Sequence, residues 1–468
     1  MTVDLRNLVS PPLYKSTAIQ AIEQSWTEAH PESALMEKAG TAVAELAGTL
    51  ANESGAPMLI LAGPGNNGGD VLVAARILKK QGFRVLVVSQ ADPGRLPLDA
   101  ARAWSGWRDS GGTILNEIPR SQAFSLVIDG LFGVGLQRDI TGETAYWIAQ
   151  AQDLHCPKLA IDLPSGLDSD SGRIRGCALR ADHTLTFLGL KPGLLTAEGP
   201  DYAGALHLDT LGVDPSSMPA SPGFALTHLA PWHRLPARSQ NSHKGLYGHV
   251  GLIGGDIGMV GACLIAGRAA LKQGAGSVTL GTLDDRIVVD YGEPRLMFTS
   301  PETLLGQQMQ ALAIGPGLGQ NTRAHMLLKT ALAAPCPLVL DADALNILAS
   351  NQELAHQTSQ RSQPTLLTPH PGEAARLLNL TVDNIQENRI EIAHVLSQKF
   401  QAAVALKGAG TVIAHPDGRY AINTSGGPWL AQAGSGDCLT GMVAGLLGQG
   451  MAASDALEAA VWLHGSHR

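Results

Sequence analysis

The chain has 468 residues, of which 41 are acidic and 33 basic, so its formal net charge is −8 at pH 7, and 44% of its residues are hydrophobic. This length exceeds what one ordinary core supports, and we expect two or three α/β domains. Because the balance is acidic and no dense Lys/Arg cluster is interleaved with aromatic residues, the composition argues against a nucleic-acid-binding protein.

Signals for secretion, membranes and zinc are also missing from the sequence. The opening segment MTVDLRNLVS lacks a positive stretch followed by an apolar one, and no apolar run approaches the roughly 18 residues that span a bilayer. The cysteines are scattered and never form a CxxC pair, which argues against a disulfide framework or a zinc site. They are Cys156, Cys177, Cys263, Cys336 and Cys438. We therefore expect a cytoplasmic protein that binds neither membranes nor nucleic acids.

The chain divides near its middle. Between residues 213 and 245 the sequence is rich in Pro and Ser and lacks sustained periodicity, which is typical of a domain boundary with a connecting segment. We expect one domain over residues 1–220 and a second over residues 221–468.

In the first domain, apolar runs alternate with helical patterns. The run at residues 58–62 predicts a buried strand, and apolar residues then recur at helical spacing until Gly82. Further strands are predicted at residues 85–88, 126–129, 159–162 and 184–187. This alternation predicts a doubly wound parallel sheet, whose ligand crevice lies at the carboxyl ends of its strands.

Polar residues follow three of these strands. Asn66 and Asn67 follow the first, Asp129 closes another, and Asp162 and Ser165 come at the end of a third. Their amide, carboxylate and hydroxyl oxygens are hard donors. A crevice that gathers them suits a hard cation, or a sugar and nicotinamide ligand with hydroxyl groups.

The stretch GPGNNGG after the first strand has the GxGxxG spacing of dinucleotide-binding loops. That spacing alone predicts a simple turn about equally well. The fingerprint also requires an acid after the second strand to bind the ribose, and Ser89 and Gln90 stand there instead. A single Asp after a strand is also more often a helix cap. The residues leave a turn and a binding loop open, and they weigh against a dehydrogenase.

Four segments together carry a family resemblance: SALMEKAG (residues 33–40), GPGNNGGD, IDGLFGVGL and IDLPSGLD. They resemble the N-terminal epimerase domain of the bifunctional NAD(P)H-hydrate repair enzymes. The resemblance implies a Rossmann-like three-layer sandwich that interconverts the R and S epimers of NADHX and NADPHX, the forms of NADH and NADPH hydrated at C6 of the nicotinamide ring. It implies a potassium ion (K⁺) bound by Asn67, Asp129 and Ser165. It implies substrate binding by Asn66, Asn67, Gly68, Gly69, Asp70, Gly133, Val134, Gly135, Leu136, Gln137, Arg138, Asp139 and Asp162.

Two positions in this domain raise specific expectations. Epimerisation requires a proton to move on or off the hydrated ring, and Asp162 is the candidate acid or base. The alternative is that Asp162 only holds the turn at residues 163–166. Val71 stands where the family usually has glycine, and its bulk is expected to crowd the start of the helix.

The second domain repeats the alternation. Residues 249–255 predict a strand, residues 258–274 a helix closed by Gly274, and residues 277–283 the next strand of a largely parallel sheet. Later in the chain, Gly434, Ser435 and Gly436 open an apolar helix. Their backbone N–H groups predict an anion site that the helix dipole reinforces.

Asp437 follows in the first turn of that helix. Next to a bound phosphate it is well placed as an acid or base. The alternative is that an Asp in a first helical turn is simply favourable by itself.

Six ordered motifs of the second domain, HKGLYGHVGLIGG, GPGLG, DADAL, TPHPGE, LKGAGT and GSGD, resemble the ADP- or ATP-dependent NAD(P)H-hydrate dehydratases, which have the ribokinase-like fold. The resemblance implies that ADP, with Mg²⁺, is converted to AMP and phosphate as water leaves the S epimer. Asp437 would deprotonate the C6 hydroxyl for attack on the terminal phosphoryl group. The implied substrate contacts are Ala262, Gly317, His370 and Asp437. The implied nucleotide contacts are Lys407, Gly408, Ala409, Gly410, Thr411 and Gly436.

The sequence therefore predicts an α/β protein of two doubly wound domains, an epimerase followed by a dehydratase, which is expected to form a homo-oligomer. His370 lies between two prolines, so it either contacts substrate or locks a turn. The alternative function is a ribokinase-like small-molecule kinase fused to a non-catalytic ligand-binding domain.

Overall fold

The computed structural model describes residues 2–30, 34–51, 55–230, 233, 235 and 237–466. The chain forms two compact units, Met1–Ser221 and Pro222–Arg468. Ser33, which begins the SALMEKAG motif, lies outside the described residues, as do four residues of the Pro/Ser-rich segment. In the part of the chain that is described, no helix is long and apolar enough to cross a membrane.

The first unit is a twisted sheet with helices on both faces. Its strands are β1 (Val3–Asp4), β2 (Pro12–Leu13), β3 (Met58–Ala62), β4 (Val85–Val88), β5 (Ile114–Leu115), β6 (Leu126–Gly130), β7 (Lys158–Ile161), β8 (His183–Phe187) and β9 (Ala205–Asp209). Its helices are α1 (Ser16–Ala29), α2 (Leu35–Leu50), α3 (Asn66–Lys80), α4 (Leu98–Asp109), α5 (Gly142–Gln152) and α6 (Gly199–Tyr202). The strands other than β2 form one sheet in the order β1-β9-β8-β7-β6-β3-β4-β5, and every neighbouring pair in it is parallel except β1 with β9.

Both faces of this sheet are covered by helices, which explains why its central strands are apolar. In β3 every residue is buried. Ile60 packs into a cluster with residues of α1 to α4, whereas Leu59 and Leu61 pack into a second cluster with residues of α5. Because both faces of the strand are covered, it needs apolar residues at successive positions rather than at alternate ones. The predicted three-layer arrangement is present in this unit.

The second unit is also built on a largely parallel sheet. Its strands are β10 (Gly223–Leu226), β11 (His249–Gly254), β12 (Ser277–Thr282), β13 (Met297–Thr299), β14 (Ala311–Ile314), β15 (Leu338–Leu340), β16 (Thr365–Leu367), β17 (Ala403–Leu406), β18 (Val412–Ala414) and β19 (Tyr420–Asn423). Its helices are α7 (Val260–Lys272), α8 (Pro301–Leu305), α9 (Thr322–Leu332), α10 (Asp343–Ser350), α11 (Gln352–Ser359), α12 (Pro371–Leu378), α13 (Val382–Glu387), α14 (Arg389–Phe400), α15 (Ser435–Gly448) and α16 (Ala453–Ser466). The strands run in the order β13-β12-β11-β14-β15-β16-β17-β18-β19-β10, and β18 is antiparallel to both of its neighbours.

Helices α7, α15 and α16 share one apolar core with this sheet. α15 and α7 approach closely because α15 carries glycines at the contact. A Cβ atom on Gly441 would lie 1.9 Å from the carbonyl oxygen of Ala266, and one on Gly445 would lie 2.7 Å from that of Ala270. The small residues therefore fix α15, and with it the GSGD turn at its N-terminus.

Candidate active sites

The first candidate site lies at the carboxyl ends of β3, β6 and β7, which are neighbours in the sheet. Two glycines of the GxGxxG pattern allow the loops there to pack together. A Cβ atom on Gly63 would lie 1.8 Å from the carbonyl oxygen of Leu131, and one on Gly68 would lie 2.0 Å from that of Gly63. The spacing that resembles a dinucleotide fingerprint therefore has a packing role in this loop.

Asp129 and Ser165 form the buried base of this site. The Oδ1 atom of Asp129 accepts a hydrogen bond of 2.6 Å from Ser165 Oγ, and Oδ2 accepts one of 2.8 Å from the Ser165 backbone amide. Burial raises the pKa of the Asp129 carboxyl, and the hydrogen bonds from Ser165 oppose that change. The loops after β6 and β7 are therefore tied together by one buried acid.

Asn67 and Asp162 converge on Gly133, in the loop after β6. A Cβ atom on Gly133 would lie 3.2 Å from Asp162 Oδ2 and 3.5 Å from Asn67 Oδ1. The Nδ2 atom of Asn67 is buried and has no hydrogen-bond partner within the described chain. A buried amide donor without a partner is expected to gain an acceptor from a ligand.

Asp162 is held in an unusual geometry. Its backbone φ is +65°, in the left-handed region, where a non-glycine residue is strained. Its Oδ1 atom accepts hydrogen bonds from Lys191 Nζ (2.5 Å), Thr186 Oγ1 (3.3 Å) and the Phe187 amide (3.4 Å). The Lys191 side chain has no exposed surface. The candidate acid or base is therefore paired with a buried ammonium group.

Further carboxyl groups surround this pair. Burial raises the pKa of the Asp70 carboxyl well above its usual range, and the nearby carboxylates of Glu23 and Asp162 raise it further. Glu23, on α1, also has a raised pKa, chiefly because of burial and then because of Asp162. Of the predicted substrate loop, Gly133 reaches this cluster, whereas residues 137–139 are exposed.

Val71 fits its site because of a glycine on the neighbouring strand. Its side chain is fully buried, and a Cβ atom on Gly130 would lie 2.5 Å from Val71 Cγ1. The valine methyl groups therefore occupy space that the absence of a side chain at Gly130 leaves open.

The second candidate site is the N-terminus of α15. Gly434 precedes the helix with a φ of +84°, a backbone conformation that favours glycine. The sequence predicted a free amide at Ser435, but this amide donates a hydrogen bond of 3.3 Å to the carbonyl of Gln432, because the turn closes on itself. Gly436 and Asp437 lie in the first helical turn, where backbone amides have no intrahelical acceptor.

A partly buried lysine, Lys407, lies next to this turn. Lys407 Nζ donates a hydrogen bond of 2.9 Å to Asp341 Oδ1, and Thr440, on α15, donates one of 2.6 Å to Asp341 Oδ2. A Cβ atom on Gly436 would lie 3.2 Å from Lys407 Nζ. Asp341 therefore fixes the ammonium group against the first turn of α15.

Asp437 and Glu373 both have carboxyl groups with raised pKa values. Burial raises the pKa of Asp437, Asp341 raises it further and Lys407 lowers it. Burial raises the pKa of Glu373 to about 7, although Lys407, 4.0 Å away, opposes the change. The Glu373 carboxyl therefore keeps its proton to a higher pH than an exposed glutamate does.

His370 is the N-cap of α12. Its Nδ1 atom accepts hydrogen bonds from the amides of Gly372 and Glu373, and its own amide donates to Glu373 Oε2, so the two residues form a capping box. The turn-locking role that the sequence left open is thus present. A contact of His370 with substrate stays a prediction.

The remaining predicted contacts fall into two groups. Ala262 and Gly317 both approach Met259: the Ala262 amide donates to its carbonyl, and a Cβ atom on Gly317 would lie 2.5 Å from that oxygen. The loop at residues 407–411 is organised by the buried Arg389, which donates hydrogen bonds to the carbonyls of Leu406, Lys407 and Gly410.

Several of these residues were not assigned by the sequence analysis. Asp341 and Glu373 lie inside the quoted motifs DADAL and TPHPGE, so the signal was present although their roles were not seen. The motif residues that Lys191, Glu23 and Arg389 approach are distant from them in the sequence. No local residue spacing therefore indicates the roles of these three side chains.

Comparison with known proteins agrees with the two-unit structure. A family model described as NAD(P)H-hydrate dehydratase matches residues 250–467, and one described as YjeF-related protein N-terminus matches residues 32–193. The bifunctional NAD(P)H-hydrate repair enzyme of Escherichia coli strain K12 is 38% identical over 420 residues, which cover 87% of this chain and 79% of that protein. That of Moorella thermoacetica is 39% identical, with coverage of 93% and 87%. This chain belongs to the bifunctional NAD(P)H-hydrate repair enzymes.

The predicted repair-enzyme family and α/β fold class are confirmed, and the fused-kinase alternative is not favoured. Among solved structures, the ADP/ATP-dependent NAD(P)H-hydrate dehydratase from Bacillus subtilis, co-crystallised with ATP and Mg²⁺, is 35% identical. It has a TM-score of 0.45 and covers 50% of this chain and 84% of that one.

Proposed function

We propose that this repair-enzyme chain converts both epimers of NADHX and NADPHX to NADH and NADPH in two steps. The first unit interconverts the R and S epimers, and the second dehydrates the S epimer while ADP becomes AMP and phosphate. The observation that carries the proposal is that one chain of this family contains both clusters: the oxygen atoms around Asp162, and Asp437 in the first turn of α15, where Lys407 lies next to Gly436. The cytoplasmic location and the homo-oligomeric state stay predictions.

The donors of the first site fit a potassium ion. Asn67, Asp129 and Ser165 would hold it through their side-chain oxygens, which are hard donors. The Asp129 carboxyl is buried, so its charge would be offset by a cation bound beside it. When bound, the ion would offset negative charge among the carboxylates and orient the substrate. The residues at positions 66–70 and 133–139 would then bind the substrate around it.

Asp162 would move the proton in the epimerase reaction. C6 carries a hydroxyl next to the ring nitrogen, so it can invert if the C6–N1 bond opens and closes on the other face. The hydroxyl proton leaves as the C6=O bond forms and the C6–N1 bond breaks, and N1 gains a proton, so no atom is added or lost. The Oδ2 atom of Asp162, which faces Gly133, is placed to accept and return the hydroxyl proton.

In the second unit, Asp437 would deprotonate the C6 hydroxyl, whose oxygen then forms a bond to the terminal phosphorus of ADP as the bond to AMP breaks. The phosphate then leaves C6, and C5 loses a proton to give the C5=C6 double bond. The first-turn amides of α15 and the Lys407 ammonium would stabilise the phosphoryl charge. Mg²⁺ would be held by the phosphates of ADP, and it would offset their negative charge. Residues 407–411 would bind the rest of the nucleotide.

The direct test incubates the protein with mixed NADHX epimers, ADP, Mg²⁺ and K⁺, and follows the recovery of NADH absorbance. We expect complete conversion with one AMP and one phosphate formed per NADH. Without ADP, we expect the two epimers to equilibrate with no NADH formed. Consumption of ATP to phosphorylate a small alcohol, with no NADHX consumed, would instead support a kinase.

A further inference from the structure

Lys191, a buried lysine of the first unit, uses all of its hydrogen-bond donors beside Asp162. Lys191 Nζ donates hydrogen bonds to Asp162 Oδ1 (2.5 Å), Thr186 Oγ1 (3.0 Å) and the carbonyl of Phe187 (2.7 Å). An ammonium group has three donors, so all of them are used inside the protein. Burying such a charge is costly unless a carboxylate compensates it, and Asp162 supplies that carboxylate.

The consequence for Asp162 is that its two oxygens differ. Oδ1 accepts three hydrogen bonds, from Lys191, Thr186 and the Phe187 amide. Oδ2 instead lies near Gly133 and the Asn67 carboxamide. The two oxygens are chemically equivalent, but any partial rotation of the carboxylate would lengthen the bond to the buried ammonium group. Lys191 therefore fixes the orientation of the carboxylate, with one oxygen engaged and the other beside Gly133.

We propose that Lys191 is a positioning residue of the epimerase: it anchors Oδ1 of Asp162 so that Oδ2 is held toward the C6 hydroxyl of the substrate. This inference rests on the proposed epimerase function of the first unit. Lys191 itself does not touch the substrate, because its donors are already used. The competing role is purely structural, in which the bond to the Phe187 carbonyl only stabilises the turn after β8.

The test is Lys191→Ala, assayed for conversion of purified (R)-NADHX to the S epimer without ADP, with kcat and KM measured separately. We expect kcat to fall about 100-fold or more, in the range of a misplaced acid or base, with KM changed less than about threefold. Methylammonium, a small amine that can occupy the vacated space, is expected to restore kcat at least about tenfold. Restoration requires a cation beside Asp162, which a merely structural role does not.

A matched control is available in the same unit. Lys158 is also buried, but its Nζ atom donates to the backbone carbonyls of Leu154 and Cys156, at the amino end of β7. Lys158→Ala removes a buried lysine without touching Asp162, and we expect its epimerase kcat to stay within about threefold of the parent, with no response to methylammonium.

If Lys191→Ala does not fold, Lys191→Gln carries the test, because its amide keeps one donor for Asp162. We expect a fall in kcat of about tenfold with unchanged KM, since a neutral hydrogen bond is weaker than a charge-assisted one. The positioning role is overturned if a folded Lys191 variant keeps the parental kcat, or if kcat of Lys191→Ala falls but methylammonium restores nothing. If the parent protein itself does not interconvert the epimers, the proposed function fails instead, so the two failures are distinguishable.

Discussion

The replacement Glu373→Gln tests the electrostatics of the second site most quantitatively. The Glu373 side chain is only 5% exposed, and its Oε2 atom accepts the His370 amide in the capping box. Glutamine has nearly the same shape and can accept that hydrogen bond, but it cannot ionise. The substitution therefore removes the titration of Glu373 while leaving the cap in place.

The size of the effect follows from the pKa. Burial raises the pKa of Glu373 from 4.5 to about 7, so the folded state holds the proton more tightly than the unfolded state. The stabilisation from this proton is fully present below pH 4.5 and is lost as the pH rises through 7. A difference of about 2.5 in pKa corresponds to about 3 kcal/mol of unfolding free energy, at about 1.4 kcal/mol for each pKa unit.

The assay is urea unfolding between pH 5 and pH 8, followed by hydrogen exchange in peptides from the second unit. We expect the unfolding free energy of Glu373→Gln, relative to the parent, to increase by about 2–3 kcal/mol over this range, because a small part of the change lies below pH 5. Glu353→Gln is the control, because Glu353 is 67% exposed, and its difference from the parent should not change with pH. Parallel curves for Glu373→Gln and the parent would refute the reasoning, as would a difference of opposite sign.

Three further outcomes follow from the two sites. Val71→Ala should lower the unfolding free energy of the first unit by about 2 kcal/mol in urea titrations, because it empties buried space over Gly130; an unchanged midpoint would contradict that packing. Asp129→Asn should slow interconversion of the epimers at least about 100-fold while dehydration of (S)-NADHX keeps its rate, and equal losses in both reactions would show a general folding defect. Asp341→Asn should slow dehydration about 100-fold with the epimerase unaffected, since it releases Lys407 from α15; a parental dehydration rate would show that Lys407 needs no such anchor.

The strands could be predicted closely from the sequence. The run at residues 58–62 coincides with β3, and residues 85–88 with β4, because strands buried on both faces need continuous apolar runs bounded by turn residues. The helix predicted from residue 258 begins at Val260, a difference at a helix end where local pattern is weakest. Buried parallel strands therefore leave a strong local signal.

The convergence of Asp129, Asp162 and Ser165 could also be predicted, since the carboxyl ends of neighbouring parallel strands meet at one edge of the sheet. Lys191 could not, because it comes 29 positions after Asp162 and reaches it only through the pairing of β7 with β8. The same holds for Asp341, whose role depends on Lys407 lying under the first turn of α15. Contacts that arise only from tertiary packing leave no characteristic residue spacing in the sequence, so they could not be predicted from it.

The central claim is that Asp437 acts in the dehydration step and that the epimerase site works separately from it. The most direct measurement gives the Asp437→Asn protein pure (R)-NADHX with ADP, Mg²⁺ and K⁺, and separates the products by chromatography. We predict that the S epimer accumulates to its equilibrium fraction while no NADH, AMP or phosphate forms. Formation of NADH at the parental rate would contradict the account.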